Sequence, residues 1–596
     1  MSLGLEQCGL IGDLHTGAVV SNEGAVEWLC VPRFDSDACF ARLLGDDSNG
    51  FFQIAPDAPA FRSEQVYEKG SLVLSTTFST QTGSVRLLDF MPIREEHARI
   101  VRIVQGLTGY VDMKATLSLR FDYGVAIPWV RHIERGLSFV LGPNAVLLES
   151  AVELEGKDMM SVGQFRVREG QEMDFVLVFY GSTEKIPRQV RPREELTRTR
   201  AFWRGWIAEA KEDYGHYDAV VRRSMITLKA LTYAPTGGMV AALTTALPEQ
   251  IGGSRNWDYR YCWLRDATFA LYGFLQRGHP VEARAWRSWL LRAIAGSADQ
   301  LQIMYGVAGE RRIPELELDW LKGYRDSRPV RIGNAASGQF QLDVYGEVAD
   351  VLYQMLNHGI KPDENAWEIQ RYLTDHVVSV WEQPDDGIWE IRGDRQHFTY
   401  SKIMAWVAID RGIRTLDLLG YDGPRILWDR ERTRLAERIL SDGYSEKLGS
   451  FVQAFGSDRL DASVLLAPIM GFIDAKDPRM VSTVDRIQKD LSADGFILRY
   501  QPDAGVDGID EPEGVFLPCS FWLVENLAMQ GRVDEAEEML EKLIGVANPL
   551  GIYSEEYDPT QRQMLGNFAQ AFTHVGLVNA VQRVVHARQH AHELKP

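Results

Sequence analysis

The order of apolar and polar positions divides the chain into two regimes. Residues 71–91 run Ser-Leu-Val-Leu-Ser-Thr-Thr-Phe, pass through a turn containing Gln81-Thr82-Gly83, and continue Ser-Val-Arg-Leu-Leu-Asp-Phe-Met. Two β-branched and apolar runs around a glycine-containing turn predict a hairpin. Phe175–Tyr180 is an unbroken apolar run closed by Gly181, the pattern of a strand covered on both faces. Short strands and turn clusters recur from Gly17 to Gly181, which predicts an antiparallel β-sandwich rather than an α/β fold.

The stretch Arg188–Arg200 is charged and reads as a solvated linker leading into helix. Beyond it the period becomes helical. Phe340, Val344, Val348, Val351, Leu352 and Met355 share one face, as do Ile369, Leu373, Val377, Val380 and Trp381. Ala536, Met539, Leu540, Leu543 and Ile544 repeat the pattern behind Asp534, a suitable N-cap. About a dozen such segments lie between Tyr217 and Arg588, with no sequence repeat that would indicate a solenoid. Two concentric rings of helices, an (α/α)6 barrel, would bury that many one-sided helices and leave a funnel at one end. The expected organisation is an N-terminal β-sandwich over 1–187, a linker with helix over 188–216, and a catalytic (α/α)6 barrel over 217–596.

Composition narrows the function classes. Of 596 residues, 83 are Asp or Glu against 64 Lys or Arg, a net charge of −19, and 45% are apolar. That is a core-forming globular chain, and its acidity argues against nucleic acid or an anionic membrane as partner, since both reward a basic face. The start, Met1 to Glu6, lacks a basic segment followed by an apolar run, so no signal peptide is expected and the cytoplasm is the expected location. The apolar stretch Val464–Ile473 is too short to span a bilayer and contains Pro468. Five cysteines with no C-x-x-C spacing suggest reduced, buried thiols rather than disulfides or zinc. His586 and His590 are spaced i, i+4, with His592 close by, but near the carboxyl end, where an exposed polar helix is the simpler reading. Phosphate-loop, dinucleotide, H-E-x-x-H and G-x-S-x-G signatures are missing. Oligomeric state is not fixed by the sequence, and a homo-oligomer stays open.

What remains is carboxylates among aromatic residues. Asp385-Asp386-Gly387-Ile388-Trp389-Glu390 and Tyr553-Ser554-Glu555-Glu556-Tyr557-Asp558-Pro559 are two such places. A carboxyl against an indole is desolvated and its pKa rises, as a general acid needs, while a second in a polar setting stays ionised and can activate water. Two carboxyls of different pKa are the requirement of glycoside hydrolysis. A third segment, Asn256 to Asp266, alternates aromatic and polar residues and ends in Arg265-Asp266. Aromatic walls with an Arg-Asp pair make a monosaccharide pocket plausible.

These segments, together with Ile11-Gly12-Asp13, Gly24–Cys30, Pro32–Ser36, Gly333–Gln339, Glu513–Leu517, Cys519–Trp522 and Gly566-Asn567-Phe568, resemble the glucoamylases and trehalases of glycoside hydrolase family 15 in their prokaryotic two-domain form. The resemblance implies a β-sandwich packed on an (α/α)6 barrel and an inverting exo-hydrolase releasing β-glucose from the non-reducing end of an α-glucoside. By position it makes Glu390 the general acid and Glu555 the general base. Arg265 and Asp266 would hold the terminal glucose, with Tyr259 and Trp263 in the same wall, and Trp389 and Glu556 adjoining. Neighbouring acids can exchange roles without a trace in the sequence, so Glu556 stays open as the base. The loop Glu315–Arg325 is expected at the rim, with Trp320 or Tyr324 as a platform for the leaving sugar. No metal or cofactor is needed for this chemistry, although some trehalose-cleaving relatives depend on added ions. Glucoamylase-type activity on malto- or isomalto-oligosaccharides or glycogen ends ranks first and α,α-trehalase second. The alternatives outside hydrolysis are a non-catalytic carbohydrate-binding protein of the same fold and a phosphorylase on a related barrel.

Overall fold

A computed structural model describes residues 3–210, 213–361, 364–501 and 513–593. Strands of the amino-terminal third form two antiparallel layers. One carries Cys8–Gly12, Gly17–Ser21, Ala25–Cys30, Phe51–Pro56 and Met160–Arg168. The other carries the predicted hairpin, Leu74–Ser79 and Gly83–Phe90, with Glu172–Gly181, Asn144–Ser150, Gly136–Leu141 and Trp129–Ile133. A single long strand, Ala98–Ser118, belongs to both layers. Its first half pairs with Gly83–Phe90 and Glu172–Gly181, and its second half with Phe51–Pro56 and Met160–Arg168.

The layers face each other through rings such as Phe52 and Phe175, 6.2 Å apart. Between them lies Arg102, fully buried. Its guanidinium pairs with Asp89 at 2.6 Å and donates across the core to the carbonyls of Phe52 and Gly24 at 2.6 and 2.8 Å. A buried charge is tolerable only when its donors are used, and here all three guanidinium nitrogens are.

Strand Glu172–Gly181 is covered on both sides, as its apolar run implies. Phe175, Leu177 and Phe179 enter the core, while Val176 and Val178 point outward beneath helix α1 (Pro192–Ala208), which seals them with Leu196. The charged stretch before the second domain is thus mostly this helix. It starts at Pro192, where a missing N–H costs nothing, and it turns Arg200 outward to pair with Glu68 at 2.5 Å.

The second domain alternates inner and outer helices. The outer ones are α2 (Asp218–Ala230), α4 (Pro280–Ala293), α6 (Glu364–Val380), α8 (Arg425–Asp442), α10 (Pro478–Asp490) and α12 (Val533–Ile544). The inner ones are α3 (Leu264–Gln276), α5 (Asp343–Asn357), α7 (Thr399–Leu419), α9 (Leu466–Ile469), α11 (Leu517–Met529) and α13 (Ala571–Glu593). Each inner helix touches the next and α13 returns to α3, closing the ring. Burial follows position. Every residue from Leu517 to Ala528 of α11 is buried, whereas α12 buries only Val533, Ala536, Leu540 and Leu543, the stripe expected of an outer helix. The inner member α9 is reduced to one turn preceded by a 3-10 segment, Ala462–Leu465, capped by Asp461. This is the apolar stretch around Pro468. Among the described residues no helix is long and apolar enough to cross a membrane.

The domains share one continuous apolar core and exchange polar contacts. Trp28 Nε1 donates to the Leu243 carbonyl at 3.1 Å, and Asn548 Nδ2 to the Cys8 carbonyl at 2.8 Å. All five cysteines are buried and unpaired. Asp89→Ala should lower stability by about 3–5 kcal/mol, because it strands the buried Arg102 charge; a thermal melt within a degree of the parent protein would contradict this.

Candidate active site

Loops that enter the N-terminal ends of α3, α7, α11 and α13 surround a small cavity. Its polar walls are Glu249, Arg255, Arg265, Glu390, Arg392 and Arg499, and its aromatic walls include Trp257, Tyr259, Trp389, Tyr500, Phe516 and Phe572.

Residues 256–263 run extended before α3, so successive side chains face opposite ways. Asp258 and Arg260 turn toward the sheet domain, where Arg260 is fully buried. It meets Asp258 at 2.9 and 2.6 Å and donates to the Ser36 carbonyl at 2.8 Å. Tyr259 faces the cavity, and its ring meets Trp263 edge-on at 5.1 Å. Arg265 and Asp266 follow in the first turn of α3. Arg265 Nε donates to Asp266 at 3.1 Å, and Nη1 to the Ile388 carbonyl at 3.0 Å. Burial raises the Asp266 carboxyl and Arg265 draws it back. Behind them Asp343 and Glu347 of α5 are both pushed up, first by burial and then by a neighbouring carboxylate.

Glu390 sits at the end of a turn and takes φ = 57°, a left-handed conformation that a residue with a Cβ adopts only at a cost of about 1–2 kcal/mol. Gly387, at φ = 71°, makes the turn possible, since a Cβ there would lie 2.6 Å from the Phe398 ring. The turn delivers the Glu390 carboxyl to Trp263, whose Nε1 donates to Oε1 at 2.7 Å. Burial lifts the Glu390 pKa above the ordinary carboxylate range, opposed by Arg265, 3.9 Å away, and by the indole N–H. Trp389 is pinned by Asp461, which accepts its Nε1–H at 3.0 and 2.9 Å.

Glu555 and Glu556 lie on the strand Ser554–Asp558. Being adjacent on a strand, they project into different surroundings. Glu555 Oε2 accepts the Asn567 N–H at 3.1 Å beside the Tyr259 hydroxyl. Gly566 clears the space, because a Cβ there would come within 2.6 Å of Oε2. Burial and then the Glu249 charge push the Glu555 carboxyl up to about 8. Glu556 instead meets Arg499 at 3.2 Å, in company with Glu249 and Glu513.

Of the predicted residues, Tyr259, Arg265, Trp389 and Glu390 line the cavity, while Trp263, Asp266, Glu555 and Glu556 stand behind them in contact with Glu390, Arg265, Tyr259 and Arg499 respectively. Trp320 does neither. Its Nε1 donates to the Tyr123 carbonyl at 3.1 Å, and it borders a hollow with Asn49 and Arg120 of the sheet domain. Tyr324 is buried against the amino terminus, its hydroxyl donating to the Leu3 carbonyl at 2.8 Å. The expectation of a Trp320 or Tyr324 platform is therefore corrected. The loop reaches the rim through its first residue, Glu315, which pairs with Arg392 at 3.3 Å.

Sequence reasoning missed Glu249, Asp461 and Arg499. Arg499 joins Glu249 at 2.8 Å and Glu513 at 2.5 Å. Glu249, Glu513 and Glu556 are the one carboxylate group among the described residues close enough to share a cation. Arg499 already supplies positive charge to all three. His586 and His590 are exposed on α13, and the His592 side chain lies outside the described residues.

Residues 215–582 match the profile of glycosyl hydrolases family 15, and residues 1–203 that of the trehalase-like N-terminal domain. A trehalase of Mycolicibacterium smegmatis is 36% identical, covering 98% of this chain and 91% of its own. A trehalase of Thermoplasma volcanium is 33% identical over 97% of this chain and 93% of its own. A bacterial glucoamylase solved with acarbose superposes with a TM-score of 0.75 at 12% identity, covering 98% of this chain and 94% of that one. Sandwich, barrel and sequence agree: the chain belongs to glycosyl hydrolase family 15 and is an α-glucoside hydrolase.

Proposed function

We propose that the protein is an inverting α,α-trehalase, with Glu390 as general acid and Glu555 as general base. The observation that supports the mechanism is that Glu390, Arg265 and Tyr259 line one cavity, with Asp266 bonded to Arg265 and Glu555 to Tyr259 directly behind them, from segments far apart in sequence. The trehalase reading, ranked second from sequence, moves ahead because relatives named trehalase align over both domains at 33–36% identity, and the sheet domain matches a trehalase-like profile. Five buried, unpaired thiols suit a reducing compartment such as the cytoplasm.

In this mechanism Arg265 and Asp266 hold one glucose at the cavity floor. The Glu390 carboxyl gives its proton to the glycosidic oxygen as the C1–O bond breaks. Glu555 takes a proton from the water that attacks C1 from the opposite face. Configuration inverts, one glucose leaves as the β-anomer, and the two carboxyls have exchanged protonation until solvent resets them. The choice of Glu555 over Glu556 rests on charge: Glu556 is engaged by Arg499, whereas Glu555 has a backbone N–H and a tyrosine hydroxyl as its neighbours.

Glu390→Gln and Glu555→Gln should each lower kcat on trehalose by about 10²–10⁴-fold with unchanged melting temperature. NMR of the first-formed sugar should show equal α- and β-glucose, one from each half; two α-glucose molecules would exclude inversion. Gly566→Ala should cost activity comparably, because its methyl displaces the Glu555 carboxyl; near-parental kcat would show that Glu555 is not held there for catalysis.

Both carboxyls are shifted upward, so both limbs of the pH profile lie high. Glu555 must be ionised, a state gained as pH rises through a pKa near 8. Glu390 must be protonated, a state that burial preserves to higher pH than an ordinary carboxyl at about 4.3 allows. Glu249→Gln removes a repelling charge and should move the limb of kcat/KM that reports Glu555 to lower pH. A limb that stays put would remove Glu249, or Glu555, from that role.

A further inference from the structure

Between the two layers of the sheet domain, at their open edge, lies a cleft of about 480 Å³, within the ~300–1,000 Å³ typical of small-molecule sites. Leu117 and Leu119, at and just past the end of the long shared strand, form its floor on one layer, and Leu137 and Phe139 of Gly136–Leu141 form it on the other. Ile127 and Val130 stand at its mouth, 46% and 40% exposed. Strand Trp129–Ile133 is the last of its layer and pairs only with Gly136–Leu141, so no further strand covers this side. The cleft shares no lining residue with the cavity beside Glu390.

Arg120 borders both this cleft and the adjoining hollow at Trp320, yet is itself only 6% exposed. Its Nη1 donates to the Leu119 carbonyl at 2.8 Å and its Nη2 to the Met159 carbonyl at 3.2 Å. Nε donates to no protein group, and no carboxylate lies within ion-pair distance, among the described residues. Carbonyl oxygens use donors but leave the charge unmatched. Burial accordingly lowers the pKa of Arg120, and no neighbouring acid draws it back. Arg102 and Arg260, equally buried, are matched by Asp89 and Asp258, as a charge withdrawn from water requires. The cleft therefore joins apolar walls to one unmatched positive charge at their edge.

We propose that this cleft binds a single-chain acyl carboxylate, with the chain between the two sheet layers and the head group on Arg120. Aliphatic and phenyl walls gain from burying methylene groups rather than hydroxyls, which favours a hydrocarbon chain over a sugar. The planar guanidinium fork matches the two oxygens of a carboxylate. A single unmatched charge suits a monoanion, and Asp158, which lines the same cleft, disfavours a second negative charge.

The test is calorimetric titration of the full-length protein with decanoate, which should show one saturable site. Acetate, the head group alone, and decyltrimethylammonium, the same chain with the opposite charge, should neither bind there nor displace decanoate. Arg120→Met should weaken decanoate binding about 10–100-fold, and Arg120→Lys should keep part of the affinity. Ile127→Asp alters an exposed position and sets a like charge at the mouth, so it should weaken binding whether or not Arg120→Met folds. No saturable binding of decanoate, equal affinity for the ammonium, or parental affinity in either folded variant would overturn the site.

Discussion

The buried ion pair between Asp258 and Arg260 is the contact on which the rest of the site depends. Arg260 uses Nε and Nη2 on Asp258, and Nη1 on the Ser36 carbonyl, with Trp28 and Tyr123 of the sheet domain beside it. Asp258 in turn accepts the Gly333 N–H at 2.9 Å. The pair therefore clamps three pieces of chain: the strand region after Cys30, the segment before α3, and the loop that begins the Gly333 turn. Because that segment is extended, fixing residues 258 and 260 on one side fixes Tyr259 and Trp263 on the other. The tryptophan that donates to Glu390 is held by an ion pair facing away from the cavity. The sheet domain thus takes part in the geometry of the site without lining its cavity.

The second constraint is electrostatic. Glu249, Glu513, Glu555 and Glu556 are gathered near Arg499 and Arg255, with Glu249 and Glu556 raised together with Glu555. Concentrating carboxyls in a buried, low-dielectric place costs folding free energy, because some must take up protons or repel one another. The left-handed backbone at Glu390 adds a conformational cost of its own. Both costs fall at the cavity and are absent from the outer helices, whose acids mostly pair at the surface, as Glu537 does with Arg588. Local destabilisation of this kind, supported by a continuous apolar core, is how a fold retains groups with shifted proton affinity.

Periodicity made most of the architecture legible. The hairpin around Gln81–Gly83, the doubly covered strand at Phe175 and the stripes of α5, α6 and α12 are local patterns, and they fold locally as written. The inner helix α9 was not legible, since a single turn with a proline carries no period to detect. In the site, Glu390, Glu555 and the Arg265–Asp266 pair stood out through the company of aromatic residues and through family resemblance. Arg499, Glu249 and Asp461 did not, because each acquires meaning only from partners brought from elsewhere: Arg499 from Glu249, 250 positions away, and Asp461 from Trp389, 72 positions away. Trp320 misled for the opposite reason. An aromatic residue in a loop looks the same whether its indole is offered to a sugar or hydrogen-bonded to a neighbouring domain.

The same distinction bears on which parts of the site can vary. A glucoamylase with 12% identity superposes over nearly the whole chain, so the sandwich and the ring of helices tolerate wide divergence in sequence. Part of the cavity wall comes from the first turn of α3, an element whose position the barrel dictates. Most of the remaining wall comes from connections: the segment before α3, the turn from Ile388 to Arg392, and Arg499–Tyr500. These can change length and composition without disturbing the ring, because their backbone groups are satisfied locally or by side chains such as Arg265. The part of the wall that the barrel places is thereby tied to the fold, while the part that the connections supply is free to diverge.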